Sequence, residues 1–173
     1  MDIRKENLLI RYATINDAGI LCKWWNDGKI MAHAGFPNGI NTTEEKIKNQ
    51  ILEETDDTTR RWIIEIDGKP SGEMNYRNKG NETVEIGIKI CDFTKQEKGY
   101  GTKLLKMFIK YLFEKLKYKK IILDTNLNNK RAQHVYEKIG FKRIGIRENA
   151  WKNQLGELQT SIDYELLLEE YRE

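Results

Sequence analysis

The chain has 173 residues, 39% of them hydrophobic and 33% charged, with 30 basic and 27 acidic side chains and a net charge of +3. That length suits one sizeable core, and the near balance of charge excludes a polyanion-binding surface built on excess basicity. Residues 1–6 lack the apolar run of a secretory signal and no stretch approaches the roughly 18 apolar residues of a membrane span, so the sequence predicts a single cytoplasmic domain over residues 1–173 (core about 8–168), with no nucleic-acid or membrane partner.

In chain order, residues 8–13 read as a short apolar strand. Asn16 and Asp17 then offer an N-cap for a helix carrying Ile20, Leu21, Trp24 and Trp25. Residues 26–41, punctuated by Gly28, Gly35, Pro37 and Gly39, read as a long irregular loop. A second helix opens at Thr42-Thr43-Glu44-Glu45, where Thr42 and Glu45 have capping-box spacing, and Ile47, Ile51 and Leu52 supply its apolar side. Strands at 61–66 and 70–76 flank Asp67-Gly68, a strong hairpin signal. A turn at Lys79-Gly80-Asn81 leads into 84–90, where Val84, Ile86, Ile88 and Ile90 alternate onto one face. Beyond a glycine loop, Leu104, Leu105, Phe108, Ile109, Leu112, Phe113 and Leu116 recur at helical spacing. A buried strand at 121–123, a helix opened by Asn129, and strands at 141–146 and 162–168 complete the chain. The basic residues Lys115, Lys117, Lys119 and Lys120 read as a solvated helix end and turn, and Cys22 and Cys91 match no metal-ligand spacing, so a reduced protein without metal is expected. A strand–helix–strand unit across the glycine loop implies one parallel pair in an otherwise antiparallel sheet. The fold class is therefore α/β (α+β): a mixed, mostly antiparallel central sheet with flanking helices.

Two segments carry chemistry. Gln96-Glu97-Lys98-Gly99-Tyr100-Gly101-Thr102 lies where a strand ends and a helix begins; Gly99 and Gly101 let several backbone N–H groups converge, and the helix N-terminus adds positive potential suited to phosphate. The pattern is neither a Walker loop nor a dinucleotide fingerprint, and a glycine-eased turn accounts for it equally well on its own. In the second segment Asn129 caps a helix whose Ala132, Val135, Tyr136 and Ile139 share one face, Gly140 takes the left-handed position after the last turn, and Phe141 closes it. Periodicity alone makes Tyr136 a core residue.

Taken together, these residues resemble the GNAT acyltransferase superfamily. Gln96, Gly99 and Gly101 stand at the defined positions of its [QR]-x-x-G-x-[GA] pyrophosphate loop, and 129–141 matches its N-x-x-A-x-x-x-Y-x-x-x-G-F segment. The resemblance implies an acyl-CoA N-acyltransferase fold and acetyl-CoA as donor. Backbone groups of Gln96, Glu97, Lys98, Gly99, Tyr100, Gly101 and Thr102 would hold the pyrophosphate, Ile88, Lys89 and Ile90 would pair with the pantetheine amides like an added strand, Asn129 and Ala132 would flank the same arm, and Tyr136 would protonate the departing thiolate. The amine must attack in neutral form although an alkyl ammonium titrates near pH 10; Glu85, opposite the apolar face of its strand, is the first candidate base and Glu73 the second, with a solvated face or cross-strand ion pair as the plainer reading of both.

The acceptor side falls on Trp24, Trp25, Asn26, His33 and Phe36. Adjacent helical residues point about 100° apart, so one tryptophan is expected to line a pocket or pack half exposed. Trp151 and Tyr164 are expected to close the pocket from the C-terminal strands, and His134 to be on the surface. The start Ile10-Arg11-Tyr12-Ala13-Thr14 and the segment Trp24-Trp25-Asn26-Asp27 resemble the Rim-type branch, which includes acetyltransferases of ribosomal-protein N-termini; related proteins act on polyamines or aminoglycosides. The reading is an N-acetyltransferase for a primary amine of a small molecule or peptide, able to pair as a homodimer through its C-terminal strand edge. A non-catalytic acyl-CoA sensor and a fold-only interaction protein are the rivals.

Overall fold

The computed structural model describes residues 1–173. Eight strands form one sheet: β1 (Asp2–Lys5), β2 (Leu8–Tyr12), β3 (Thr59–Ile66), β4 (Lys69–Gly80), β5 (Thr83–Ile90), β6 (Lys120–Asn126), β7 (Lys142–Lys152) and β8 (Leu158–Leu167), in spatial order β1-β2-β3-β4-β5-β6-β8-β7. Only β5 and β6 run parallel; every other neighbouring pair is antiparallel. Five α-helices, α1 (Ala18–Trp25), α2 (Gly28–Met31), α3 (Glu44–Glu53), α4 (Tyr100–Glu114) and α5 (Lys130–Ile139), pack on it. No helix is long and apolar enough to cross a membrane.

Both faces of the sheet are covered, and the side-chain alternation of the strands decides what meets what. Trp62, Ile64 and Ile66 of β3, Met74 and Tyr76 of β4 and Val84 and Ile86 of β5 join Leu104, Phe108 and Leu112 of α4 in the larger core. Ile63, one residue out of phase, points the other way and packs with Ala18, Leu21, Trp24 and Trp25 of α1 and Ile47 and Ile51 of α3. The near-continuous apolar run of β3 thus reflects burial on two faces.

Local chemistry corrects several sequence boundaries. Asp67 and Gly68 both take positive φ, 55° and 76°, as their hairpin requires. The next tight turn centres on Asn81 and Glu82 (φ 52° and 56°), just past the expected one. The first helical segment is capped by Thr14, not by Asn16 or Asp17: the Thr14 side chain accepts from the N–H of Asn16, and Asp17 accepts from the Thr14 N–H at 2.8 Å. Thr43 caps α3, because Thr42 exchanges two hydrogen bonds with the Asn26 side chain instead. Leu52 is 70% exposed; five residues beyond Ile47 it is rotated about 140° off the buried stripe. Two elements lacked a legible signal: the charged edge strand β1 and the one-turn helix α2 inside the expected loop.

Asp17 also anchors the helical layer to the sheet. Its two carboxylate oxygens accept from Arg11 on β2 at 2.8 and 2.9 Å. Burial pushes its carboxyl up, but the Arg11 and Thr14 hydrogen bonds outweigh it and hold Asp17 below the ordinary carboxylate value. A depressed pKa means stability that is present above the unfolded value, about 3.9, and lost as pH falls through the folded one. Asp17→Asn is therefore expected to cost about 1–3 kcal/mol at neutral pH, with the gap to wild type narrowing below about pH 4; urea denaturation across that range checks it.

Candidate active site

The parallel pair is where the sheet opens. β5 and β6 are in register only over Thr83↔Lys120, Val84↔Ile121 and Glu85↔Ile122. Beyond that point β5 stays paired with β4 to Gly72↔Ile90, and β6 with β8 to Asn126↔Ser161. The inner edges of 86–90 and 123–126 therefore face a gap, and the gap widens into a cleft of about 650 Å³ that passes between α2, α4 and α5. A strand with one free edge offers main-chain donors and acceptors to an extended polar chain. Ile88, Lys89 and Ile90 line the cleft on this edge. Gln96 fixes its end: its side-chain amide donates to the Ile90 carbonyl at 2.9 Å and accepts from Arg131 of α5 at 3.2 Å.

At one mouth of the cleft the glycine loop becomes α4. Glu97 and Gly99 both have positive φ, 59° and 81°, which folds the backbone into a concave turn of the kind that gathers N–H groups on an anion. No side chain caps α4. The first helical bond is that from Lys103 N–H to the Gly99 carbonyl, so the N–H groups of Tyr100, Gly101 and Thr102 have no backbone acceptor. Three orphan donors at the positive end of a 15-residue helix make a site for phosphate. A side chain at Gly101 would first meet Ile90 Cδ1 at 3.9 Å, and one at Gly99 would meet nothing within 4 Å, so the glycines leave room beside the donors for a bulky ligand. Gln96, Glu97, Gly99, Gly101 and Thr102 line the cleft; Lys98 and Tyr100 do not, and any share they have is through the main chain. These residues fit the pyrophosphate and pantetheine of an acyl-CoA.

The opposite wall is β6 and α5. Asn129 caps α5 by accepting from the Ala132 N–H at 3.2 Å, while its amide nitrogen donates to Thr125 Oγ1 at 3.2 Å. Buried Gln133 donates to the carbonyls of Leu127 and Asn129, at 2.8 and 3.2 Å, and so locks the turn that presents Asn129. Asn129, Ala132, Val135 and Tyr136 all face the cleft. Tyr136 is 8% exposed, with Phe141 and Tyr164 edge-on at 6.1 and 5.7 Å between ring centroids. Burial first, and then the negative charge of Asp124, push its phenol up to about 12. The group is a neutral O–H donor at physiological pH, and its ring position is fixed by packing.

The remaining rim of the cleft is built from segments far apart in sequence. Lys29, Ile30, His33 and Ala34 of the α2 region form one rim and Arg147, Trp151 and Ser161 of β7 and β8 the other. Trp151 donates to Ser161 Oγ at 3.1 Å and lies so close over Gly35 that a Cβ there would sit 2.4 Å from the indole. Gln154 of the β7–β8 hairpin completes the clasp, binding the backbone at Gly35, Asn38 and Gly39. Arg147 spans Asp124 and Asp163, with three bonds of 2.8–2.9 Å.

Other expected residues stand elsewhere. Glu85 does not line the cleft; it lies in the paired part of β5, half exposed and 3.8 Å from Arg77 across the sheet. Glu73 is buried, accepts from Trp25 Nε1 at 3.0 Å and lies 3.8 Å from Lys89. Trp24 and Trp25 are both buried, at 6% and 7% exposure, in the same core; neither lines the cleft, but Trp25 lines a second, smaller pocket with Arg61 and Glu73, as expected of one of the two. Tyr164 is fully buried and does not reach the cleft. Phe36 lies outside the cleft, and His134 is exposed. Asp124, Thr125, Arg147 and Ser161 carried no motif; Asp124, Ser161 and Arg147 fall on one face only once the β6–β8 and β7–β8 registers are known.

A family model described as an acetyltransferase (GNAT) domain matches residues 7–142. A spermidine N(1)-acetyltransferase of Escherichia coli is 33% identical over 145 residues, covering 83% of this chain and 72% of that protein. An aminoglycoside N(6')-acetyltransferase type 1 of Klebsiella pneumoniae is 26% identical over 156 residues, covering 81% and 76%. Among solved structures, a RimL alpha-N-protein acetyltransferase in complex with coenzyme A superposes with a TM-score of 0.84 at 15% identity over 96% of this chain and 98% of that one. The matched region contains both the glycine loop and the Asn129–Phe141 segment around which the open sheet is built, and on that ground the chain is an acyltransferase that belongs to the GNAT acetyltransferase family, whose fold it shares with the RimL structure.

Proposed function

We propose that the protein transfers the acetyl group of acetyl-CoA to a primary amine of a small molecule or of a peptide N-terminus, in the cytoplasm and as a single domain. The observation that carries this reading is the cleft itself: three orphan N–H groups at its phosphate end, a free strand edge along its length, and one buried phenol facing it. Acetyl-CoA supplies the activated thioester. Tyr100, Gly101 and Thr102 bind its pyrophosphate through their N–H groups, Ile88 and Ile90 orient the pantetheine arm through the main chain, and Asn129 flanks it. Tyr136 holds a proton at Oη and delivers it to the departing sulfur. Its burial suits the role, since a phenol kept neutral keeps its proton until negative charge develops beside it.

Relatives that act on spermidine and on aminoglycosides support an amine acceptor. The test is a thermal-shift titration with acetyl-CoA followed by a free-thiol assay over a panel of amines. Stabilisation of roughly 2–4 kcal/mol equivalent is expected at 100 to 1,000 times Kd, with thiol release on adding one amine class. No stabilisation at saturating acetyl-CoA would refute the reading.

A further inference from the structure

A second cavity, of about 320 Å³, lies beside the cleft, between α1, α3 and the β3–β4 part of the sheet. Its polar lining is Thr42, Gln50, Arg61 and Glu73, and Trp25 and Met31 supply apolar walls. A lysine links it to the cleft: Lys89, which lines the cleft, donates to Met31 Sδ at 3.0 Å and lies 3.8 Å from Glu73, both of which line the second cavity. The lysine and methionine side chains are long and unbranched, so their contact can move without disturbing the backbone.

Arg61 is the anomaly in this cavity. Its guanidinium is stacked over the Trp25 ring, 4.5 Å from the centroid, yet its Nε and Nη1 are buried without any hydrogen-bond partner. Its counter-charge is Glu54, whose Oε1 stands 3.5 Å from Nη1 in an ion pair without a formed hydrogen bond and whose other oxygen accepts from the Arg61 backbone N–H. A buried guanidinium that lacks acceptors is costly unless a ligand supplies the oxygen, and a stacked, planar fork suits a carboxylate. The carboxylate that lines the cavity, Glu73, is already held by Trp25 Nε1 and Lys89, and Asp124 at the far wall of the cleft shares Arg147 with Asp163. The cavity therefore offers two buried guanidinium donors in need of an oxygen acceptor, while its one carboxylate, Glu73, is already engaged.

We propose that this cavity takes the far end of the acceptor and that this end is a carboxylate bound by Arg61, which makes the substrate an amino-carboxylate in place of a polyamine. The inference rests on the N-acetyltransferase reading above and names its acceptor class. The transfer chemistry is unaltered: the amine nitrogen forms its bond to the acetyl carbon as the carbon–sulfur bond breaks, one amine proton leaves to solvent and one proton reaches the sulfur.

The experiment compares amines of matched length that differ only at the far end: γ-aminobutyrate, butylamine and putrescine, then ε-aminocaproate, hexylamine and hexamethylenediamine. Thiol release is expected to favour the amino-carboxylate by at least about tenfold in kcat/KM in one of the two sets. Arg61→Gln should abolish that preference while acetyl-CoA affinity, read by calorimetry, holds. Arg61→Lys, which keeps the charge, should retain part of it and covers the case in which the glutamine variant does not fold. Equal or better use of the diamine or alkylamine, or a preference that survives Arg61→Gln, overturns the proposal. If no amine is turned over, calorimetric titration of the same compounds into the protein, alone and with CoA, decides: Arg61-dependent binding of the amino-carboxylate supports the cavity assignment and equal binding of all three overturns it. Failure of acetyl-CoA itself to bind is the separate failure of the reading beneath.

Discussion

Replacing Tyr136 with phenylalanine is expected to lower kcat by roughly 10- to 1,000-fold and to leave the affinity for acetyl-CoA almost unchanged. The substitution removes one oxygen from a ring whose position is set by Phe141 and Tyr164, so the wall of the cleft keeps its shape. The loss should fall on the step in which sulfur acquires charge. A phenol titrating at about 12 is not a strong acid toward a thiolate in water, but a thiolate in the same buried cleft is also disfavoured, and its proton affinity rises with its desolvation. The raised pKa has a sign that can be checked. Tyr136 stays protonated as pH rises through the range in which the amine acceptor becomes neutral, so the rate should climb with pH on the acceptor's titration, and no alkaline loss due to Tyr136 should appear below about pH 12. Pre-steady-state acetyl transfer with the wild type and the phenylalanine variant measures both. Equal losses in kcat and in acetyl-CoA binding would make Tyr136 a packing residue.

The glycine loop and the Asn129 segment, which we propose as the donor half of the site, were legible as structure because they are local. Gln96 to Thr102 and Asn129 to Phe141 are continuous segments, and their roles depend on positive φ, helix termini and one helical face, all of which short-range spacing encodes. The alternation of Val84 to Ile90 likewise placed the strand beside them, and Asp67-Gly68 placed the neighbouring hairpin, though not the bulge that shifts its register between Ile64 and Glu65. The opening between β5 and β6 was not legible. It arises from a mismatch between two pairings, β5 with β4 and β6 with β8, that no window of sequence contains.

The acceptor half depends on contacts between distant segments, and there the sequence misleads. Glu85 looked available because it faces away from the apolar stripe, but the partner opposite it is Arg77, and the two strands are still joined at that level. Glu73 was the second candidate, yet the tryptophan of α1 and the lysine of β5 engage it away from the cleft. The clasp of Trp151 and Gln154 on the Gly35–Gly39 turn joins residues more than a hundred positions apart, and neither residue type announces it. Trp24 and Trp25 point about 100° apart yet share one core, because the helix is wrapped from several sides; of the two, Trp25 also lines a pocket, the one it shares with Arg61 and Glu73.

A glutamate at position 101 is expected to weaken acetyl-CoA binding by at least about a hundredfold while leaving the protein folded. Gly101 lies in the first turn of α4 beside the orphan N–H groups of Tyr100 and Thr102, and its Cβ position is clear to 3.9 Å. An acidic side chain in the first turn of a helix complements the macrodipole, so the unliganded variant should melt at or above the wild-type temperature. The same carboxylate would stand where the pyrophosphate binds. Two like charges about 4 Å apart near a protein surface repel by about 4 kcal/mol per charge pair, and even half of that is more than a tenfold loss for each phosphate it faces. Gly101→Ala is the control: a methyl group at an ordinary contact distance adds no charge, and it should keep most of the affinity. The decisive measurement is the acetyl-CoA-dependent shift in melting temperature for the three proteins side by side. If the glutamate variant is stable and still shifts like the wild type, the phosphate does not bind at the start of α4, and the polarity of the whole cleft, with Tyr136 at its reactive end, would have to be reversed.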